Sequence, residues 1–484
     1  MRRYIASFLV LLIVNSLGYS VFGQINCTPA NSNFLFTPTP LSQNKFIGWD
    51  KFPEFSLPFK IIYNGPRFGD QNRQPLKHGF SHLSSYSGPD SVNLPVKNRA
   101  LIYYGVAYNF PKPQPWQIIR SPWNNDINGY RAKWRGEMFA YATHFSDTKG
   151  SRSPAADLLI IDVERHWEGQ FQLATDLSIL GIKNDPLVPK EYSQLTDNQF
   201  VERYKRDMLK LYTEPLDFMK NDGLLSKFNS ISSYGDVPIR YQGLNIEGNQ
   251  WPDWQTNPSR LSYLMKDTLT NNLGGSFYSQ LDFMSPSIYI QADYATNPKA
   301  RGGNYLAEML FQIEANKSWT KKDIVPFAWL RYEDFSLPYP RFVKPFQAEA
   351  MAIFPFLAGA KGLVLWEDSF VNLETVNFTT YEYFINGLYR LSLYKSFFEE
   401  NYELVQTQNA RDLFLNQLPV WRGVVKDGKI LIAAHNPYAG DNEITNMQVA
   451  YKNWFTTIQL KGKEVFLCSF DLVNITSNEP SIDP

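Results

Sequence analysis

Residues 158 to 164, Leu158-Leu159-Ile160-Ile161-Asp162-Val163-Glu164, form an apolar run that closes on two carboxylates spaced two apart. An apolar run with no polar alternation is what a strand buried on both faces requires, as in a parallel sheet or barrel. Side chains at i and i+2 of a strand share a face, so the spacing predicts that Asp162 and Glu164 emerge together at the strand's carboxyl end. In a (β/α)8 barrel that end carries the chemistry. Two convergent carboxylates suit glycosidic-bond cleavage. The plainer alternative is that the acids only cap or solubilise the end of the strand.

Working outward, further apolar runs alternate with helical stretches, which argues for α/β architecture. The strand candidates are Phe59 to Tyr63, Ala100 to Tyr104, Leu158 to Asp162, Ile231 to Tyr234, Phe283 to Ile290, Ile324 to Leu330 and Gly362 to Trp366. Of the helices, the clearest begins at Thr196 with Gln199 three residues on, a capping-box pattern, and carries Phe200, Tyr204, Met208 and Leu211 along one face. Tyr305 to Ala315 and Phe346 to Leu357 are further candidates, the latter expected to be disturbed by Pro355. From about Leu418 the pattern changes to short alternating runs punctuated by Asp427-Gly428, Asn436-Pro437 and Lys461-Gly462. The expected fold is a (β/α)8 TIM barrel over residues 24 to 400, followed by a small antiparallel, sandwich-like β domain over residues 410 to 484.

The amino end sets an expected compartment. Arg2 and Arg3, the apolar Phe8 to Val14 and the site Val21-Phe22-Gly23 read as a secretory signal peptide over residues 1 to 23, so the mature chain is expected to be secreted or periplasmic. Lys plus Arg and Asp plus Glu are equal at 47 each, which removes the electrostatic case for nucleic acid or an anionic membrane. Aromatic residues are abundant, with 12 Trp, 28 Tyr and 35 Phe, and supply flat apolar faces on which sugar rings can stack, besides filling the core. The two cysteines, Cys27 and Cys468, would tie the chain ends together if they meet. With five histidines and no metal-ligand spacing, neither a metal site nor a cofactor is expected. Sequons at Asn26, Asn316, Asn377 and Asn474 matter only if the source glycosylates.

Two later strands add to the signal. Phe283-Met284-Ser285-Pro286-Ser287-Ile288-Tyr289 and Gly359-Ala360-Lys361-Gly362-Leu363-Val364-Leu365-Trp366-Glu367-Asp368 both end with residues suited to holding a sugar. With the Asp162 strand they resemble the hyaluronidase family, glycoside hydrolase family fifty-six, and more loosely the chitinase-like barrels. In the hyaluronidases these strands read I-D-W-E, P-S-x-Y and G-A-x-G-x-x-L-W-G-D, in the same order. Phe59 to Pro66 is similar to that family's F-x-x-x-W-N-x-P strand, and Tyr234-Gly235-Asp236-Val237-Pro238 sits where the family has Y-G-x-P. The likeness spans about Phe59 to Phe398. The chain departs from it at Val163, in place of tryptophan, at Glu367, in place of glycine, and in lacking the family's disulfide cysteines.

The resemblance implies substrate-assisted hydrolysis, in which the substrate's own 2-acetamido oxygen attacks the anomeric carbon. Glu164 would be the general acid, with Asp162 raising its pKa and steadying the oxazolinium-like intermediate. Tyr289 would donate to the acetamido group, Trp366 would lie under its methyl, and Tyr234 is a further candidate for the same pocket. The expected partner is a poly- or oligosaccharide containing N-acetylhexosamine, with no nucleic acid and no membrane span. Two rivals stand beside this reading: double displacement with Glu164 as acid and Glu333 as nucleophile, and a glycan-binding protein that kept the barrel and lost turnover. Glu333, Asp334, Glu367 and Asp368 lie near strand ends, and for most of them helix capping or a solvent-facing position is the expected role.

Overall fold

The computed structural model describes residues 34–43, 45–66, 73–84, 93–104, 118–119, 122–123, 127–142, 155–165, 175–186, 188–240, 256–291, 303–333, 341–367 and 376–472. The proposed leader and Cys27 lie outside them. In chain order the strands are β1 (Lys60–Asn64), β2 (His82–Ser84), β3 (Arg99–Tyr104), β4 (Ile118–Ile119), β5 (Ala156–Asp162), β6 (Glu164–Arg165), β7 (Phe228–Ser233), β8 (Phe283–Met284), β9 (Asp323–Ile324), β10 (Phe327–Trp329), β11 (Gly362–Trp366), β12 (Glu403–Val405), β13 (Val420–Lys426), β14 (Lys429–His435), β15 (Ile444–Tyr451), β16 (Trp454–Lys461) and β17 (Val465–Asp471).

Seven strands form one parallel sheet in the order β10-β11-β1-β2-β3-β5-β7. Its strands are buried on both faces, as apolar runs demand. Ile62, Ala100, Ile102, Leu158, Ile160, Phe327 and Val364 gather into one cluster with Phe283, whereas Ile61, Leu101, Leu159, Ile161 and Leu363 join the larger cluster that includes the helices. The Tyr234 ring, just past β7, lies 4.8 Å from the Phe327 ring on β10, centroid to centroid, so the two edges of the sheet meet on its inner face and the sheet is curled. At one edge Tyr234 bridges Ser285 in parallel, and the Gly235 N–H donates to the Ser285 carbonyl at 3.0 Å. β8 in turn pairs in parallel with β9, and Ser287 bridges Phe327.

The expected strands over Phe283–Ile290 and Ile324–Leu330 are shorter than their apolar runs. The first is regular only at Phe283–Met284 and the second divides into β9 and β10. Pro286 and Pro326 interrupt them, because each lacks the N–H that a continuous ladder needs. β2 was not expected. It is three residues long and holds His82 and Ser84, so no apolar run marks it.

Outside the sheet, the Asp197–Asn221 helix starts from Thr196 with both halves of the capping box formed, and buries Phe200, Tyr204, Met208 and Leu211. The Pro345–Leu357 helix runs through Pro355, contrary to the expected disturbance. Its last turn continues past the proline, where the Ala358 N–H reaches the Phe354 carbonyl at 2.9 Å. Asn316, one of the four sequons, is fully buried, and its amide donates to the Ile239 and Gln312 carbonyls, so no glycan can be attached there in the folded chain.

The carboxyl-terminal region forms a separate antiparallel sheet, β12-β13-β14-β17, with a β15-β16 hairpin beside it. Cys468 on β17 is in a disulfide, and the only other cysteine of the chain is Cys27. Arg422 on β13 ties this sheet to the Tyr305–Trp319 helix, where its Nε donates to Glu314 Oε1 at 2.7 Å with both side chains buried. His435, at the end of β14, is fully buried near the Tyr305 and Phe346 rings, and its Nδ1 meets the Glu464 carbonyl at 2.9 Å. Burial pulls its pKa from 6.5 down to about 4, so the folded state holds it neutral. The unfolded chain then binds more protons between these values, and the stabilisation present above pH 6.5 is lost as pH falls toward 4. Stability is expected to decline by about 1 kcal/mol per pH unit across that window. Replacing His435 by leucine should flatten the decline in a denaturant series, and an unchanged slope would remove His435 as its source.

Candidate active site

The carboxylate strand is set by its alternation. Leu158 and Ile160 join the inner cluster, while Leu159, Ile161 and Val163 join the outer one, which places Asp162 on the inner face at the carboxyl end of β5. Val163, 2% exposed, fills a site among the outer helices, and its carbonyl accepts a hydrogen bond from the Tyr212 hydroxyl. That contact anchors the turn of chain between the two acids to the Asp197–Asn221 helix. Asp162 is half-buried. Glu164 opens β6, whose backbone pairs in parallel with Ile118; its side chain lies outside what the structure describes.

The other expected residues come together. Tyr289 is 6.1 Å from Trp366, ring centroid to centroid and at 28° to it, and 6.1 Å from Tyr234. All three belong to or pack against the inner cluster, just beyond the carboxyl ends of β7, β8 and β11. A fourth ring was not singled out from sequence. Trp329, at the end of β10, is 5.6 Å from Tyr289 and 5.1 Å from Trp366, edge-on to the latter. Its signal was available, since Val325, Phe327 and Trp329 share one strand parity and all lie in the inner cluster. Four rings from four strand segments thus build one apolar wall, and Tyr234 joins it to the end of β5 next to Asp162, where its N–H donates to the Ile161 carbonyl at 2.8 Å.

Glu367 departs from the expectation that strand-end acids cap helices or face water. It is buried at 5% exposure, and both carboxylate oxygens are engaged. Arg331 Nε donates to Oε1 and Oε2, each at 3.1 Å; Trp329 Nε1 donates to Oε1 at 3.1 Å; the Tyr381 hydroxyl donates to Oε2 at 2.6 Å. The Phe342 ring caps the Arg331 guanidinium at 3.9 Å. Burial, then the Glu367 charge, pushes the Tyr381 hydroxyl well above its ordinary value, which keeps it a donor. The carboxylate thus holds the Trp329 indole N–H.

Beneath the wall a few polar side chains on the inner face meet one another. Ser84 donates to Asn64 Oδ1, and the Ser232 hydroxyl meets Ser285 Oγ at 2.9 Å. Glu333 is half-buried just past Tyr332, with its N–H on the Ile290 carbonyl at 2.8 Å. Asp334 and Asp368 lie outside the described residues. Among the described residues, no group of three or more histidines, cysteines and acids is placed to hold a metal ion, and no helix is long and apolar enough to cross a membrane.

No family model and no curated protein sequence matches the chain. Solved structures align with it at low identity. Bee venom hyaluronidase is 13% identical, with 69% of this chain and 99% of that one covered and a TM-score of 0.44. A family 30 endoxylanase from Clostridium papyrosolvens is 12% identical over 87% of this chain and 97% of its own, with a TM-score of 0.30. A maltogenic alpha-amylase from Thermotoga neapolitana is 11% identical over 86% and 99%, with a TM-score of 0.34. At these scores the functional reading rests on the site's own residues.

Proposed function

We propose that this chain is an exported glycoside hydrolase of hyaluronidase-like type, in which the curled sheet closes through β8 and β9 into a (β/α)8 barrel over residues 24 to 400, with residues 410 to 484 as an accessory β domain. It would cleave glycans that contain N-acetylhexosamine, by substrate-assisted, retaining hydrolysis. The observation that carries this is the convergence of Tyr234, Tyr289 and Trp366 on the inner face at the carboxyl end of the sheet, with Tyr234 next to the end of the Asp162 strand. Such a wall presents an aromatic surface for the acetamido methyl and a phenol for its polar atoms. The disulfide at Cys468 suits an oxidising compartment, in keeping with export.

In the mechanism that follows, the Glu164 carboxylic acid protonates the leaving glycosidic oxygen as the acetamido oxygen forms its bond to the anomeric carbon. The resulting Glu164 carboxylate then takes a proton from the water that opens the cyclic intermediate. Asp162, beside the forming ring, stabilises its positive charge and holds the amide N–H. Tyr289 fixes the acetamido group in the attacking pose, so its hydroxyl contributes through positioning.

The test is product release from hyaluronan, chondroitin, chitin oligomers and an acetamido-free control. Cleavage confined to the acetamido glycans is expected, with Tyr289→Phe lowering kcat/KM about tenfold, the scale of one hydrogen bond to a developing charge. Equal cleavage of the control would favour the second reading, double displacement with Glu333 as nucleophile. What favours that reading is the place of Glu333, half-buried at the end of the β10 segment. It requires the two carboxyl groups to stand about 5 Å apart.

A further inference from the structure

At the opposite end of the strands, the first half of the Gly359-Ala360-Lys361-Gly362 motif serves no purpose in the site just described. Lys361 immediately precedes β11, and Lys317 lies in the last turn of the helix before β9, so both sit at strand amino ends. With Asn401, Tyr402 and Leu404 from the segment leading into the β domain, they line a cavity of about 670 Å³.

The two lysines are unusual in their partners. Among the described residues the Lys317 ammonium donates only to the Ala358 carbonyl, at 3.3 Å. Lys361 donates to the Tyr402 hydroxyl and lies 4.7 Å from that ring's centroid. Among the described residues neither forms an ion pair. The acid nearest to Lys317 in the helix, Glu314, is already taken by Arg422 and Gln406. Burial pulls the Lys317 pKa down and the Lys361 charge adds to it, outweighing the pull of Glu314 the other way. Gly359 makes the arrangement possible. At φ +97° it occupies the left-handed region, and a Cβ there would fall 1.9 Å from Lys317 Nζ.

Two mutually repelling ammonium groups facing one cavity call for an anion. A small, multiply charged ion is disfavoured, because the Glu400 carboxylate lines the same cavity and repels it, while that carboxylate and the Asn401 amide suit hydroxyl groups. The volume falls in the range of pockets that enclose a small organic molecule. We infer that this cleft binds an organic carboxylate on a hydroxylated ring, with the carboxylate seated between Lys317 and Lys361. The site is remote from the aromatic wall, and the inference stands whether or not the chain is a glycosidase.

The experiment is calorimetric titration of the intact protein at low ionic strength with sodium glucuronate, methyl glucoside and inorganic phosphate. Glucuronate is expected to bind saturably, with methyl glucoside weaker by about tenfold or more, the scale of one charge-assisted hydrogen bond. Lys361→Gln, at an exposed position, should weaken glucuronate by a similar factor, and Lys317→Met likewise where it folds. Glucuronate binding that is absent, or unaffected by Lys361→Gln, overturns the assignment. Phosphate binding as tightly as glucuronate overturns the ring-bearing ligand.

Discussion

Replacing Glu164 by glutamine is expected to lower turnover on acetamido glycans by about two to four orders of magnitude, the usual contribution of a positioned general acid, while glycan affinity stays within about twofold because the amide keeps the shape and most of the hydrogen bonding. The sign of the pH dependence follows from the neighbour. In the proposed mechanism a like charge on Asp162 would raise the pKa of the Glu164 carboxyl and keep it protonated at a higher pH. Activity is therefore expected to peak on the acid side of neutrality, and Asp162→Asn should move the basic limb of the profile to lower pH. An optimum well above about pH 8 would remove Glu164 as the acid. Full turnover by the glutamine variant would do the same, and binding without turnover in the unaltered chain would leave a glycan-binding protein. The measurement is initial rate against pH, with affinity read separately by titration.

The parts of the site that were legible in sequence are those on long apolar runs. β5 and β11 are continuous and β-branched or leucine-rich, so both strands were legible as apolar runs, with Asp162 at the carboxyl end of the first and Trp366, singled out by the resemblance, at the end of the second. Tyr234 and Tyr289 were placed within expected strands and followed from the Y-G-x-P and P-S-x-Y resemblance, although the second strand is regular at only two residues because Pro286 breaks its ladder. β2 was hidden, since a three-residue strand with a histidine and a serine carries no hydrophobic period. The Phe378–Ser392 helix also went unread, although it contributes Tyr381 to the Glu367 network. The role of Glu367 could not be read at all. An acid after a strand is ordinarily solvated, and only the fold brings Arg331, Trp329 and Tyr381 to it from two other elements. Where that family has a glycine, this chain has built an anchor.

Removing that anchor is expected to be severe. Glu367→Ala leaves the Arg331 guanidinium, 2% exposed as a residue, without its counter-charge, and breaking one side of a buried pair costs about 3–5 kcal/mol. Paired replacement by apolar residues, Glu367→Leu with Arg331→Met, removes both buried charges together and should recover most of that loss. The two variants separate stability from function. In the double variant Trp329 loses the Glu367 acceptor for its indole N–H, so its ring is held less firmly against Tyr289 and Trp366, and KM is expected to rise even though the fold has recovered. Denaturant unfolding followed by tryptophan fluorescence reads the first effect, and kinetics on the acetamido glycan read the second. A Glu367→Ala variant within about 0.5 kcal/mol of the parent would show the pair to be dispensable, as for an ordinary surface substitution. A double variant with unchanged KM would instead show that packing against Tyr289 and Trp366 holds the Trp329 ring without help from the carboxylate.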